Sequence, residues 1–271
     1  MVGTVATEFS PALELVLGAL EQMRDGGGKP PRASRGALIE LHQRAFAPRV
    51  EVTEPVVLSR IDVVDRAGGG DKARLLAQIQ VPVSVCTKCP HLARSRTQTV
   101  FGVGNAEAEL MFIGEAPGAV EDARGEPFVG PAGELLTKII GAMGLARDDV
   151  YIANVLKCRP DAPRGNRPPT PEEMETCLPY LAEQIRIIQP KVLVALGGTA
   201  VEGLLGPRGP MHAMRGRWHT YEQTPLMITY HPSYLLRPEN ASHKRKVWED
   251  MLQVLERLGH PITEKQRRYF A

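Results

Sequence analysis

Four short apolar runs, Leu110–Ile113, Val150–Val155, Val192–Leu196 and Leu226–Tyr230, alternate with stretches of helical periodicity, and this alternation restricts the fold more than any other feature of the chain. Runs this short and this apolar read as strands buried on both faces. Between them Glu134–Met143 and Gly198–Leu205 carry helical patterns, and Lys246–Leu258 closes the series. Thr170-Pro171-Glu172-Glu173 is a capping box with proline at the first helical position, opening a helix toward Ile188 despite Pro179. Strands alternating with helices of this length need crossover connections. The expected fold class is therefore α/β: three αβα layers around a central four-stranded parallel sheet.

In open parallel sheets ligands bind outside the carboxyl ends of the strands, so the residues ending each run are the first place to look for chemistry. The first run ends in Gly114-Glu115, the second holds Asn154 near its end, the third ends in Gly197-Gly198 and the fourth in His231-Pro232-Ser233. The segment Gly114–Gly133 is rich in Gly and Pro and carries Glu115, Glu121, Asp122 and Phe128. Acid, base and stacking groups thus converge on one rim.

The 33 basic and 31 acidic side chains leave a net charge of +2, so attraction to a polyanion must come from local clusters. Arg208, Arg215 and Arg217 near His212 and His219, and Arg237 followed by His243-Lys244-Arg245-Lys246, are such clusters. The first ten residues lack the features of a secretory signal and no apolar stretch is long enough to span a bilayer, which points to a cytoplasmic protein. In a reducing compartment Cys86, Cys89, Cys158 and Cys177 read as metal ligands rather than disulfides. Their spacing alone suits tetrahedral zinc or an iron–sulfur cluster equally. Residues 1–70 differ from the rest. A helix is expected from Ser10 to Met23 and a short amphipathic stretch at Leu38–Ala45, separated by Gly-, Pro- and Arg-rich breaks, with no catalytic spacing. They read as an N-terminal extension, a flexible arm with docking helices, before a catalytic domain at 71–271.

Taken together, CTKCP, GEAPGAVEDARGEPFVGPAGELL, NVLKCRP, the Asn166-Arg167 pair and HPSYLLR resemble the family 4 uracil-DNA glycosylases, the iron–sulfur branch of that superfamily, over roughly residues 72–260. The resemblance implies that Cys86, Cys89, Cys158 and Cys177 hold a structural [4Fe-4S] cluster. It implies that Glu115 and Ala116 line a uracil pocket, that Phe128 stacks on the base and that the Asn154 amide reads its edge. His231 would bond uracil O2 as negative charge develops there, while Glu121 and Asn166 would position water. Ser233, with Leu235 or Leu236 and Arg237, would contact DNA and fill the space left in the duplex. The implied partner is uracil-containing DNA, single- or double-stranded, met by a monomeric, nucleoid-associated enzyme, with a repair or replication partner for the arm and no membrane. A related branch that cross-links to DNA carries Gln after the motif glutamate and a basic insertion; here Ala116 occupies that position and no such insertion precedes Cys158.

The residue chemistry agrees with that resemblance. A glycosylase must take its base out of the stack, and Phe128 with Asn154 offers a platform and an amide that both donates and accepts. Glycosidic cleavage passes through a cationic sugar that Glu115 or Glu121 could stabilise. A positioned donor such as His231 can offset charge on the departing base. No lysine is evident at the rim, which favours hydrolysis alone. Two other readings compete: a metal-bearing nucleic-acid-binding module without catalysis, and a phosphate-binding protein using Gly197-Gly198-Thr199 at a helix start. The latter lacks the accompanying glycine or Walker spacing.

Overall fold

A computed structural model of the chain describes residues 69–270 apart from Arg164. The helix expected at Ser10–Met23 and the stretch Leu38–Ala45 lie outside the described residues.

Helices α1 (Gly69–Ser84) and α2 (Pro90–Ser95) precede strands β1 (Val103–Gly104) and β2 (Leu110–Gly114). Helices α3 (Ala119–Arg124) and α4 (Pro131–Ala142) connect β2 to β3 (Tyr151–Asn154). A small hairpin, β4 (Asp161–Ala162) with β5 (Gly165–Asn166), leads into α5 (Pro171–Ile188) and then β6 (Val192–Leu196). Helices α6 (Gly198–Leu205) and α7 (Met211–Met214) precede β7 (Trp218–Tyr221) and β8 (Thr224–Thr229). The chain continues through α8 (Pro232–Leu235), α9 (His243–Leu258) and α10 (Glu264–Arg267).

The main sheet runs β1-β3-β2-β6-β8-β7. Its inner four strands are the four runs read from the sequence, and all three pairings among them are parallel. Two strands absent from that reading extend the sheet to six: β1 pairs antiparallel with β3 and β7 antiparallel with β8. Both lie at an edge, where one side of the ladder is open and a continuous apolar run is not required. The capping box at Thr170 forms as expected, with Glu173 N–H donating to Thr170 Oγ1 at 3.2 Å and Thr170 N–H donating to Glu173 Oε2 at 2.8 Å.

Strand side chains alternate between two cores. Met111, Ile113, Ala153, Leu193, Ala195 and Ile228 face one core, shared with α1, α5 and α6. Leu110, Phe112, Ile152, Val194 and Met227 face the other, shared with α4 and α9. This is the three-layer αβα arrangement. Phe112 has no solvent exposure, and truncating such a side chain to alanine typically costs about 3–5 kcal/mol.

Register sets the strand ends level. Gly114 lies opposite Asn154, Leu196 opposite Thr229, and Gly197 N–H donates to the Thr229 carbonyl at 2.9 Å. After β2 the chain first moves to β3 on one side and later to β6 on the other. The loops after β2 and β6 therefore diverge at this point and leave a crevice between them.

Candidate active site

That crevice holds a cavity of about 450 Å³, bounded by the loops after β2, β3, β6 and β8 and by the β4–β5 hairpin. Glu115, Ala116, Glu121, Phe128, Asn154, Asn166, His231 and Ser233 all line it, so the structure brings together residues that the sequence separates by more than a hundred positions. Leu235, Leu236 and Arg237 do not line it.

Asn154 ends β3 at the floor of the cavity and is 2% exposed. Its Oδ1 is the one buried side-chain oxygen or nitrogen among the described residues with no hydrogen-bond partner. Leaving such an acceptor unpaired costs about 1–3 kcal/mol, which a ligand donor would recover. Phe128 lies against it with φ 53°, a backbone region that a bulky side chain rarely adopts. Two glycines make this possible. A Cβ on Gly114 would sit 2.5 Å from Phe128 Cζ and against Asn154 Oδ1, and one on Gly133 would run into the Phe128 main chain. The strained Phe128 backbone thereby holds its ring beside the Asn154 amide.

His231 lines the same cavity beside Phe128, its ring 5.5 Å from that of Phe128 and tilted by 32°. Ser233 N–H donates to His231 Nδ1 at 3.1 Å, and the Ser233 hydroxyl lies 2.7 Å from the same nitrogen. An Nδ1 that accepts from an amide carries no proton, so the neutral ring holds its proton on Nε2 as a free donor. Desolvation lowers the His231 pKa to about 4, with the Glu121 charge opposing, so the ring is neutral at ordinary pH.

The two glutamates have different surroundings. Glu115 Oε2 accepts from the Thr199 hydroxyl at 2.5 Å, which gives the first turn of α6 a role at the rim. Glu121 accepts from three backbone amides: Gly118 at 3.2 Å, Val129 at 3.1 Å and Gly130 at 2.8 Å. It thus ties the start of α3 to the start of α4, a structural duty that sequence reasoning did not foresee. Asn166 is exposed on β5, its Oδ1 accepting from Arg159 Nε at 2.7 Å, while a Cβ on Gly118 would lie 3.4 Å from its Nδ2. Thr199 and Arg159 were not singled out as site residues. Only the Gly197-Gly198-Thr199 turn hinted at the first.

The structure separates the two leucines offered as DNA contacts. Leu235 is 3% exposed and packs with Tyr230 and Val247, so it cannot leave for a duplex; Leu236 is 47% exposed beside the exposed Arg237. Helical phase turns Leu235 inward and leaves Leu236, of the two alternatives, on the surface.

Cys86, Cys89, Cys158 and Cys177 line one cleft, and none is in a disulfide. No three metal-binding side chains among the described residues converge on a point as the ligands of a single ion would; the four thiols instead surround the cleft. Two receive N–H donors suited to thiolates: Arg96 Nη1 to Cys158 Sγ at 3.0 Å and Lys157 N–H to Cys177 Sγ at 3.2 Å. Burial raises the Cys89 and Cys158 thiols and pushes Cys177 up to about 12, and a metal bound there would displace their protons. An all-cysteine donor set with amide and guanidinium N–H groups aimed at sulfur fits a thiolate-bound metal group. Next to it Glu173, 3% exposed, is bonded by Arg167 at 2.6 and 2.8 Å and by His91 at 2.5 Å. Arg167 chiefly holds its carboxyl down at about 2.

Residues 101–252 match the model of the uracil DNA glycosylase superfamily. A type-4 uracil-DNA glycosylase of Thermotoga maritima is 43% identical over 66% of this chain and 93% of its own length. One from Pyrobaculum aerophilum is 42% identical over 60% of this chain and 85% of its own. A type-5 enzyme of the same organism is only 30% identical, over 64% and 87%. The layered sheet, the pocket at its rim and these identities agree: the chain belongs to the type-4 branch of the uracil-DNA glycosylase superfamily.

Proposed function

We propose that the protein is a monofunctional uracil-DNA glycosylase that flips uracil out of single- or double-stranded DNA and hydrolyses its glycosidic bond in base excision repair. The observation that carries this reading is the buried, unpartnered Asn154 Oδ1 in a cavity that Phe128 and His231 also line. A uracil edge supplies the missing donor, its N3–H, while its O4 accepts from the other end of the amide. With Phe128 on the ring face, His231 Nε2–H is the donor suited to O2 as the base departs with negative charge. Glu115, which lines the same cavity, serves to stabilise the cationic sugar. Glu121, fixed to three amides, and Asn166 line the same cavity and serve to orient water.

The finer assignments follow from the likeness to the family. Cys86, Cys89, Cys158 and Cys177 hold a [4Fe-4S] cluster, which when bound supplies a structural cross-link rather than redox chemistry. Ser233, Leu236 and Arg237 meet the DNA. The enzyme acts as a cytoplasmic, nucleoid-associated monomer. Residues 71–271 form the catalytic domain, and residues 1–70 serve a repair or replication partner. No helix among the described residues is long and apolar enough to cross a membrane. No lysine among the described residues lines the cavity, and Lys157 is 1% exposed. The test is base release from a uracil-containing oligonucleotide, read as strand scission only after alkali. Intact strands after alkali would contradict the reading, and scission without alkali would contradict its monofunctional part.

A further inference from the structure

Lys157 lies between the residue assigned to the base and the residues assigned to the cluster, and nothing in the function described so far uses its side chain. It is 1% exposed. Its Nζ donates to the Asn154 backbone carbonyl at 2.9 Å and to Gln184 Oε1 at 2.6 Å, and no carboxylate among the described residues bonds it. Gln184, fully buried on α5, donates onward to the Phe101 carbonyl at 3.0 Å and to Tyr151 Oη at 3.2 Å. The main chain of Lys157 is held as well, with its N–H on Cys177 Sγ at 3.2 Å and its carbonyl accepting from Val100 N–H at 2.8 Å.

Burying an ammonium without a carboxylate costs far more than burying a methionine, which would fill much the same space. Packing therefore does not explain a lysine here. What the lysine adds is a donor long enough to reach back to the last carbonyl of β3 while anchored on α5, the helix that carries Cys177.

We propose that Lys157 is a positioning residue for base recognition: it clamps the Asn154 end of β3 to α5, so that the Asn154 amide meets the base in one orientation. The proposal rests on the reading of Asn154 as the group that meets the base edge. In that orientation the amide oxygen faces the N3–H of uracil. Turned through half a circle, the same amide offers an N–H to the unprotonated N3 of cytosine and an oxygen to its amino group. Loosening the clamp thus lowers both the rate and the preference for uracil, without touching the DNA-contacting surface.

The test compares Lys157→Met, Lys157→Gln and Asn154→Ala with the wild-type holoenzyme, measuring iron content, DNA affinity and single-turnover excision from uracil- and cytosine-containing oligonucleotides. Lys157→Met is expected to keep its iron and its DNA affinity within about twofold, while uracil excision slows and the uracil-to-cytosine ratio narrows, each by at least about tenfold. Lys157→Gln, which keeps a shorter neutral donor, should recover part of both losses, and it carries the test alone should the methionine variant not fold. Wild-type rate and ratio in the folded variants would overturn the proposal, whatever happens to their melting temperature. Wild-type excision by Asn154→Ala would instead overturn the reading beneath it.

Discussion

Asn154 and His231 divide the work at the residue scale. In the proposed function one offers a buried acceptor to an arriving base, the other a neutral N–H donor to a departing one. Because the His231 pKa is lowered to about 4, the ring stays neutral through the range in which an unperturbed histidine titrates. Excision rate against pH should therefore show no acid limb near 6.5 from this residue, and a limb there that vanishes in His231→Asn would contradict the assigned protonation state. The same shift has a sign for stability. The unfolded chain binds the proton first, so this contribution is fully present above about pH 6.5 and is lost as pH falls toward 4. The place of both residues at the rim was legible in the sequence because Asn154 ends a strand and His231 follows one. The Leu235 and Leu236 pair was not, since a one-residue change of helical phase decides which is buried.

At the element scale, the inner strands and the capped helix α5 were legible because burial on both faces and a complete capping box leave strong local patterns. The edge strands were not. β1 has two residues, and β7 carries Trp, His, Thr and Tyr without an apolar run. Helix α3 was hidden inside Gly114–Gly133, a segment whose glycines and prolines signal a loop, because it has only six residues between Gly118 and Gly125. Its discovery changes the account of Glu121, which joins α3 to α4 through three amides. Glu121→Gln keeps one acceptor oxygen and is expected to lose about 1–2 kcal/mol of stability by chemical denaturation, beyond any loss of activity. Unchanged stability would return Glu121 to a purely chemical role.

At the scale of the whole molecule, the cysteines bring to one cleft segments that no strand pairing joins: the turn before α2, the loop after β3 and the middle of α5. That gathering was legible as four cysteines with none left over, but not its neighbours. Arg96, Lys157 and the Glu173 node come from distant positions and meet only in the fold. Purified protein should be brown, with a broad visible absorption and about four irons per chain. Stoichiometric zinc without iron would contradict the cluster. Cys177→Ser should weaken the absorption and expose the segments around Cys86 and Cys158 to protease before the sheet unfolds.

The central claim is that the rim of the sheet recognises and releases one base through Asn154 and His231. Single-turnover excision of uracil, measured beside DNA affinity for wild type, Asn154→Ala and His231→Ala, tests it most directly. Each variant is expected to bind DNA within about threefold of wild type while losing at least about a hundredfold in excision, the scale of removing one positioned donor or acceptor at a transition state. Equal losses of binding and excision, or excision at the wild-type rate, would show that these residues hold DNA or structure rather than the base.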